Sequence, residues 1–480
     1  MKLLLLGHND RYAVEQLQLA LFPDEAMEPV EAPFDGDGAI SALHTGEIWL
    51  TATAKITLNG KTAYASRRMR KAQEDVPARR RLLQNAYYAA AVQLREAPQW
   101  GSLSGVRPSK LTTKHLLEGG TAASADRLLR ERYHVSPTRR RICVESSLST
   151  VRAVELLEEQ DVSVYIGIPF CPTRCSYCSF VSAGIGQAAP LLPQFVDTLL
   201  EEVACVGELL KASGKTVRTL YFGGGTPTTL TAEQLDRLMS EIARHFDLSR
   251  LIEYTVEGGR PDTLNEEKLK VLAKHGCRRI SINPQTMNDA ILQTIGRHHT
   301  VAQTVESYHM ARPLFDYINM DLIAGLPGET RESFVESLQQ VLALEPENIT
   351  VHTLAMKKGA DLFFARLGLP EEETVGQMLA DAEELLRAHG YAPYYLYRQK
   401  YMSGSFENIG WSKAGSDCLY NIYMMEEIHS IISLGGGGMT KINLPEGKLE
   451  RFHNPKFPKQ YMERIEDVKA SKKEAFALLK

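Results

Sequence analysis

From about residue 162 onward, short apolar runs alternate with stretches in which apolar residues recur every three or four positions. The runs at 162–168, 217–222, 251–257, 278–283, 317–323 and 348–354 predict strands. Between them, 192–211, 232–245, 266–275 and 332–344 predict amphipathic helices. Asn265 ahead of two glutamates reads as a helix start, and Gly276 as a stop. Six such units fit an incomplete parallel barrel, and an open doubly wound sheet would show the same alternation.

Ahead of this region the pattern changes. Residues 3–6, 48–54 and 62–66 predict strands, the last two turned around Asn59-Gly60, a hairpin signal. Helical stretches follow at 79–95, 110–117 and 123–133. Beyond the six units come a helix at 371–389, an aromatic segment at 391–401, a Gly-rich turn at 435–438 and a charged, solvated helix over 456–480. The division that results is an α+β accessory domain at 1–155, a β-α core at 156–360 and an extension at 361–480 placed to cover a substrate.

Composition narrows this little. With 480 residues, 44% hydrophobic and 24% charged, the chain is of ordinary globular type. A net charge of −4 gives no overall footprint for nucleic acid or a membrane surface. Met1 to Leu6 is too short for a signal segment, and no apolar run nears the roughly 20 residues that span a bilayer. Seven cysteines, three of them clustered, do not make a secreted disulfide framework, so the expected compartment is the cytoplasm.

The chemistry sits at the strand ends, where a parallel barrel gathers its functional groups. Behind the first strand, Cys171, Cys175 and Cys178 form a C-x3-C-x2-C loop. Three thiolates can hold three irons of a [4Fe–4S] cube and leave the fourth open to a small molecule. A zinc knuckle and three buried cysteines are the competing readings, but zinc takes four ligands and no His or Cys lies at the fitting offset. Behind the second strand stands Gly223-Gly224-Gly225-Thr226, whose backbone can approach a ligand closely. Glu257 ends the third strand, Gln285 follows the fourth, and Asp321 lies in the fifth ahead of Gly325-Leu326-Pro327-Gly328. Singly, each is more often a cap or a support. Together they favour a nucleoside-bearing cofactor.

These motifs resemble the radical S-adenosylmethionine enzymes, and more narrowly the oxygen-independent coproporphyrinogen III oxidases and their relatives. Gly7-His8-Asn9-Asp10, Gly105-Val106-Arg107-Pro108 and Tyr395-Leu396-Tyr397-Arg398-Gln399-Lys400 are similar to the HemZ-type branch. The resemblance implies an incomplete parallel (β/α)6 TIM-like barrel with a [4Fe–4S] cluster and S-adenosyl-L-methionine as cofactors. It implies Cys171, Cys175 and Cys178 as cluster ligands. It implies Tyr165, Tyr177, Gly224, Gly225, Thr226, Glu257, Gln285, Arg297, Asp321 and Ala355 as contacts of the second cofactor. Arg297 could also simply cap the preceding helix. The implied reaction is oxidative decarboxylation of coproporphyrinogen III propionates to vinyl groups by a 5′-deoxyadenosyl radical, fed by a low-potential donor such as flavodoxin or ferredoxin. Two positions depart from the oxidase pattern: Phe180 replaces a further Cys, and Asn283-Pro284-Gln285 replaces Gly-Val-Gln.

A heme-binding chaperone on the same scaffold is the alternative, and another radical reaction on a tetrapyrrole is a third. The chaperones carry a His-Asn pair ahead of Tyr-Trp, whereas this chain reads Tyr420-Asn421-Ile422-Tyr423-Met424, with His429 further on. Basic runs at 67–71, 79–81 and 139–141 could meet substrate propionates, although a solvated basic face is the plainer reading. Nucleic-acid contact is disfavoured because no aromatic interleaving is evident along these runs.

Overall fold

The computed structural model describes every residue except 23, 24, 26, 104, 179–182, 356–367, 399–405 and 480. Phe180 and the Gln399-Lys400 end of the aromatic motif therefore lie outside the described residues. The chain divides into two compact units, Met1–Val144 and Glu145–Lys480. The division falls within the helix Pro137–Val154.

The first unit is built on a five-stranded sheet, β1 (Lys2–Leu6), β2 (Glu28–Val30), β3 (Gly38–Thr45), β4 (Trp49–Leu58) and β5 (Lys61–Arg70), in the order β2-β1-β3-β4-β5. Asn59 and Gly60 both take positive φ, 50° and 73°, as the predicted two-residue hairpin requires. Buried and outward residues alternate along β4, and Leu50, Ala52, Ala54 and Ile56 form one core with Leu83, Tyr87 and Ala90 of the helix Val76–Ala91. The strand β3 and the helix Arg11–Leu21 were not legible in the periodicity. Trp100 is buried, as a core anchor should be.

The second unit carries the six predicted strands as β6 (Asp161–Ile168), β9 (Thr216–Gly224), β10 (Glu253–Glu257), β11 (Arg279–Ser281), β12 (Tyr317–Ala324) and β13 (Asn348–Thr353). All neighbouring pairs among them run parallel. Two-residue strands β7 (Phe170–Cys171) and β8 (Ala183–Gly184) pair beside the cysteine loop. The long sheet grows at both edges. β15 (Glu407–Ser412) joins β13 antiparallel and β14 (Ala392–Arg398) joins β15. At the other edge β16 (Ile431–Gly435) lies parallel to β6, followed by antiparallel β17 (Met439–Asn443) and β18 (Leu449–His453). The arrangement is the TIM-like half-barrel expected, with an eleven-stranded sheet that does not close among the described residues. The fourth strand stops at Ser281, short of the predicted 283, because Pro284 has no N–H to continue a ladder.

The charged tail is not a solvated cap. The helix Ile465–Ala477 buries Val468, Lys472, Ala475 and Phe476. Lys472 and Glu202 are both fully buried, with Nζ 3.4 Å from Oε1. Glu202 also accepts from Tyr461 Oη (2.6 Å), Gly435 N (2.8 Å) and Asn454 Nδ2 (2.9 Å). Lys472 donates to Asn454 Oδ1 (2.9 Å) and Thr440 Oγ1 (3.2 Å). A buried ion pair needs this degree of satisfaction.

Glu329, after the Gly-Leu-Pro-Gly turn, is the opposite case. It is 4% exposed, accepts at Oε1 from Thr286 Oγ1 (3.2 Å), and leaves Oε2 without a partner. Burial pushes its carboxyl up to about 8, so the folded chain holds it protonated at neutral pH. A carboxyl raised on folding contributes most at low pH, and its contribution falls as pH rises from its ordinary 4.5 to about 8. Glu329→Gln removes that slope. Relative to the parent it is expected to gain about 2 kcal/mol between pH 6.5 and 8, read from denaturant midpoints at the two pH values.

Candidate functional site

The cysteine loop is fastened on two sides. On one, Gly225 N donates to Ile168 O (2.8 Å) and Thr226 N to Phe170 O (2.7 Å), stitching the glycine turn to the loop's entry. A Cβ on Gly225 would stand 2.5 Å from Phe170 O, so a side chain there would displace the loop. Gly224 takes φ 110°, open only to glycine. Thr226 Oγ1 reaches Cys171 Sγ at 3.5 Å. On the other side, Ser176 N donates to Ile295 O (3.0 Å) and Thr173 Oγ1 to Gly296 O (3.3 Å). Gly296, at φ 75°, lets the two segments meet, since a Cβ would come 3.3 Å from Arg174 O.

Two buried arginines stand behind the loop. Arg297 donates through Nη1 to Asn283 O (2.5 Å) and through Nε to Tyr177 Oη (3.3 Å). Its backbone N–H caps the preceding helix at Leu292 O (2.9 Å), and its side chain clamps the cysteine loop. Burial raises the Tyr177 hydroxyl far above its ordinary value while opposing Arg297's charge, and Arg297 stays charged through Tyr177 and Cys175. Arg260 donates to Thr173 Oγ1 (2.8 Å), lies 3.8 Å from Cys175 Sγ, and is held by both oxygens of Asp262 (2.8 and 3.0 Å). Nothing in the local sequence around Gly259-Arg260-Pro261 distinguishes Arg260, which lies three residues beyond the strand end at Glu257.

The three cysteines form no disulfide and open on a cavity of about 400 Å³. Gly224, Gly225, Thr226, Glu257, Gln285, Arg297, Asp321, Ala355 and Tyr177 line the same cavity. Its size falls in the ordinary range for a small-molecule site. Gln285 has φ 70°, rare for a residue with a side chain, pinned by Gln285 N to Asp321 O (2.8 Å) and Ile323 N to Gln285 O (2.9 Å). Its buried Oε1 has no partner, an acceptor waiting for a donor. Among the described residues, no three His, Cys, Asp or Glu groups gather around a single point as one metal ion requires. A cube spreads its ligands over separate irons, so the donor set fits a cluster and not a zinc knuckle.

Tyr165 is not on the cavity wall. Its ring stacks with those of Tyr221 (6.2 Å) and Tyr420 (6.1 Å), which stand 4.3 Å from each other. Tyr221 Oη donates to Glu257 Oε1 (2.5 Å), so the stack backs the carboxyl. Burial pushes Glu257 up to about 7. Burial alone would raise Asp321 too, yet His352, with Asn319 and Thr350, brings it below its ordinary value. His352 Nε2 lies 3.6 Å from Asp321 Oδ2, and Asn319 Nδ2 donates to Oδ1 (2.8 Å). His352 lines the cavity with Tyr397, Asn408 and Met425, none of which the sequence marked as a site residue, although Tyr397 belongs to the aromatic motif. His352 is the next-to-last residue of β13, and its place at a strand's C-terminal end is a signal that could have found it.

The polar groups elsewhere mostly serve structure. His429 donates or accepts at Ser163 Oγ (2.8 Å), stands edge-on to Tyr423, and is driven down to about 4 by burial. Cys143, Cys277 and Cys418 are buried packing residues, and Cys205 is half-buried. A larger cavity, about 550 Å³, opens at the opposite ends of the strands, but Arg279 there already serves Asn348, Ser416 O (3.1 Å) and Asp417 O (3.2 Å).

Residues 165–341 match the Radical SAM superfamily. The oxygen-independent coproporphyrinogen-III oxidase-like protein HemZ of Bacillus subtilis is 44% identical over 375 residues, covering 77% of this chain and 75% of that one. The chain belongs to the radical SAM superfamily. Within the superfamily it is also similar to the heme chaperone HemW of Bacillus subtilis, 32% identical over 59% of this chain and 73% of the relative. The solved coproporphyrinogen III oxidase HemN of Escherichia coli shares the fold at a TM-score of 0.54 and 23% identity, over 66% of this chain and 72% of that one. Radical SAM proteins use a [4Fe–4S] cluster and S-adenosylmethionine, and these are the cofactors of this chain. Among the described residues no helix is long and apolar enough to cross a membrane.

Proposed function

We propose that the chain catalyses the oxygen-independent oxidative decarboxylation of coproporphyrinogen III propionates. The observation that carries this reading is the meeting of three cysteines outside any disulfide, an unpaired Gln285 oxygen and the strand-end carboxyls in one cavity. The 44% identity to a coproporphyrinogen-III oxidase-like protein supports the substrate class. Bound together, the cluster and S-adenosylmethionine supply hydrogen-atom abstraction from an unactivated carbon.

The chain's own residues do the holding. Cys171, Cys175 and Cys178 would ligate three irons, with Arg260 and Arg297 balancing the negative charge of the thiolates. Gly224, Gly225 and Thr226 give a wall of backbone without side-chain bulk for the methionine end. Gln285 offers its free amide oxygen, and Glu257 and Asp321 suit amino and ribose hydroxyl donors. Tyr177 shields the cluster, and Ala355 leaves room for a flat base. Tyr165 acts through Tyr221 on Glu257 and not by contact. Arg260 and Arg297 are the cationic side of the cavity, which suits a substrate carrying carboxylates.

The chaperone reading rests on the 32% identity to HemW. It loses support from His429, whose ring is enclosed between Ser163 and Tyr423. Anaerobic reconstitution with reductant, S-adenosylmethionine and coproporphyrinogen III separates the two. Formation of 5′-deoxyadenosine together with the divinyl product is expected. Deoxyadenosine without vinyl product would move the reading to another substrate, and tight heme binding without cofactor cleavage would replace it with the chaperone.

A further inference from the structure

The β4–β5 hairpin of the first unit has one face in the core and one face outward. Its register pairs Trp49 with Arg70, Thr51 with Arg68, Thr53 with Ser66, Lys55 with Tyr64 and Thr57 with Thr62 across the outward face. Leu50, Ala52, Ala54, Ile56 and Leu58 turn the other way and are buried. The basic run 67–71 has no aromatic neighbour in the linear sequence. Strand pairing supplies one: the Arg68 guanidinium stands 4.8 Å from the Trp49 ring centroid and that of Arg70 5.9 Å. One pair further along the face than Thr53 and Ser66, the Lys55 ammonium lies 5.7 Å from the Tyr64 ring. Trp49 is 37% exposed and Tyr64 63%.

We infer that this outward face is a platform for single-stranded nucleic acid. Charge complementarity selects the occupant. None of the ten outward positions of the hairpin is a carboxylate, and among the described residues Lys55, Arg68 and Arg70 have no acidic partner. Three uncompensated cations call for a polyanion. The aromatic rings call for flat partners, and bases stack on exposed rings and on guanidinium planes alike. Threonine and serine hydroxyls between the two aromatic positions offer neutral donors to phosphate and sugar oxygens. The row from Trp49 to Thr57 runs about 27 Å, long enough for several nucleotides of single strand. An anionic membrane would meet too little insertable apolar surface here. An added peptide strand would bond along the edge of β5, leaving its face unused. The inference stands apart from the cofactor cavity and does not depend on the proposed reaction.

Fluorescence anisotropy of a labelled 12-nucleotide oligouridylate with the full chain tests it. Saturable binding that weakens with salt is expected, with a log–log slope near −2 for three cations on a single strand. Trp49→Ala should weaken binding about 10-fold, and Trp49→Phe should keep most of it. Arg68→Ala should flatten the salt slope. Both positions face solvent, and unchanged thermal melts would confirm that each variant folds. Absence of saturable binding at 100 µM chain in low salt overturns the inference. So does binding that Trp49→Ala leaves untouched, or capture by phosphatidylserine vesicles with the oligonucleotide ignored.

Discussion

Cys175→Ala should leave the folded chain unable to hold its cluster. Cys175 is the most buried of the three thiols and the one nearest Arg260. Its removal takes one of three cube ligands and removes the thiol that lies against the Arg260 guanidinium. After anaerobic reconstitution the variant should show far less iron and little of the cluster's visible absorption, with S-adenosylmethionine cleavage below detection. Intact thermal melting of the apoprotein would show that the defect is in the loop and not in the sheet. Cleavage retained by the variant would remove the cysteine loop from the chemistry altogether.

Lys472→Met should cost stability on a scale that few surface-looking changes reach. In sequence, Lys472 is one lysine among several in a charged tail. In the fold it is the only counter-charge within ion-pair distance of buried Glu202 among the described residues. Deleting one member of such a pair strands the other charge in a low-dielectric interior and costs roughly 3–5 kcal/mol. A denaturant midpoint shift of that size is expected, whereas the neighbouring exposed Lys473→Met should shift it by less than about 0.5 kcal/mol. The double variant Lys472→Met with Glu202→Gln should recover part of the loss, because it leaves no unpaired charge. A single-variant loss below about 1 kcal/mol would mean that the pair is neutralised in the parent chain.

The β-α region was legible because its signals are local. Each of the six strands is a buried run flanked by polar turns, and the helix start at Asn265 caps its helix as expected. The cavity's near wall was legible for the same reason: Cys171, Gly225, Glu257, Gln285 and Asp321 all sit at strand ends that can be counted along the chain. Tyr397, Asn408 and Met425 come from strands and a helix that follow the sixth unit, where no repeat sets the register. Arg260 acts by reaching across to Thr173, a partner 87 residues away that periodicity cannot reveal. Tyr165 was assigned by resemblance to the cavity, while its position on β6 aims it into the stack with Tyr221 and Tyr420. The tail misled because helical charge density says nothing of one lysine turned inward.

The strand that carries the cysteine loop is flanked by β9 on one side and β16 on the other, with Ile431 opposite Ser163 and Gly435 opposite Gly167. Gly436 N donates to Gly167 O (3.1 Å), so the contact extends to the root of the loop itself. The two partners are separated by more than half the chain. During synthesis β6 therefore waits with one bare edge until residue 435 has left the ribosome, and long-range closures of this kind form late. A chain that stops short of β16 would display an unpaired hydrophobic strand, an invitation to self-association. Birth order thus leaves the strand at the root of the iron site half-paired until the chain's own C-terminal segment arrives.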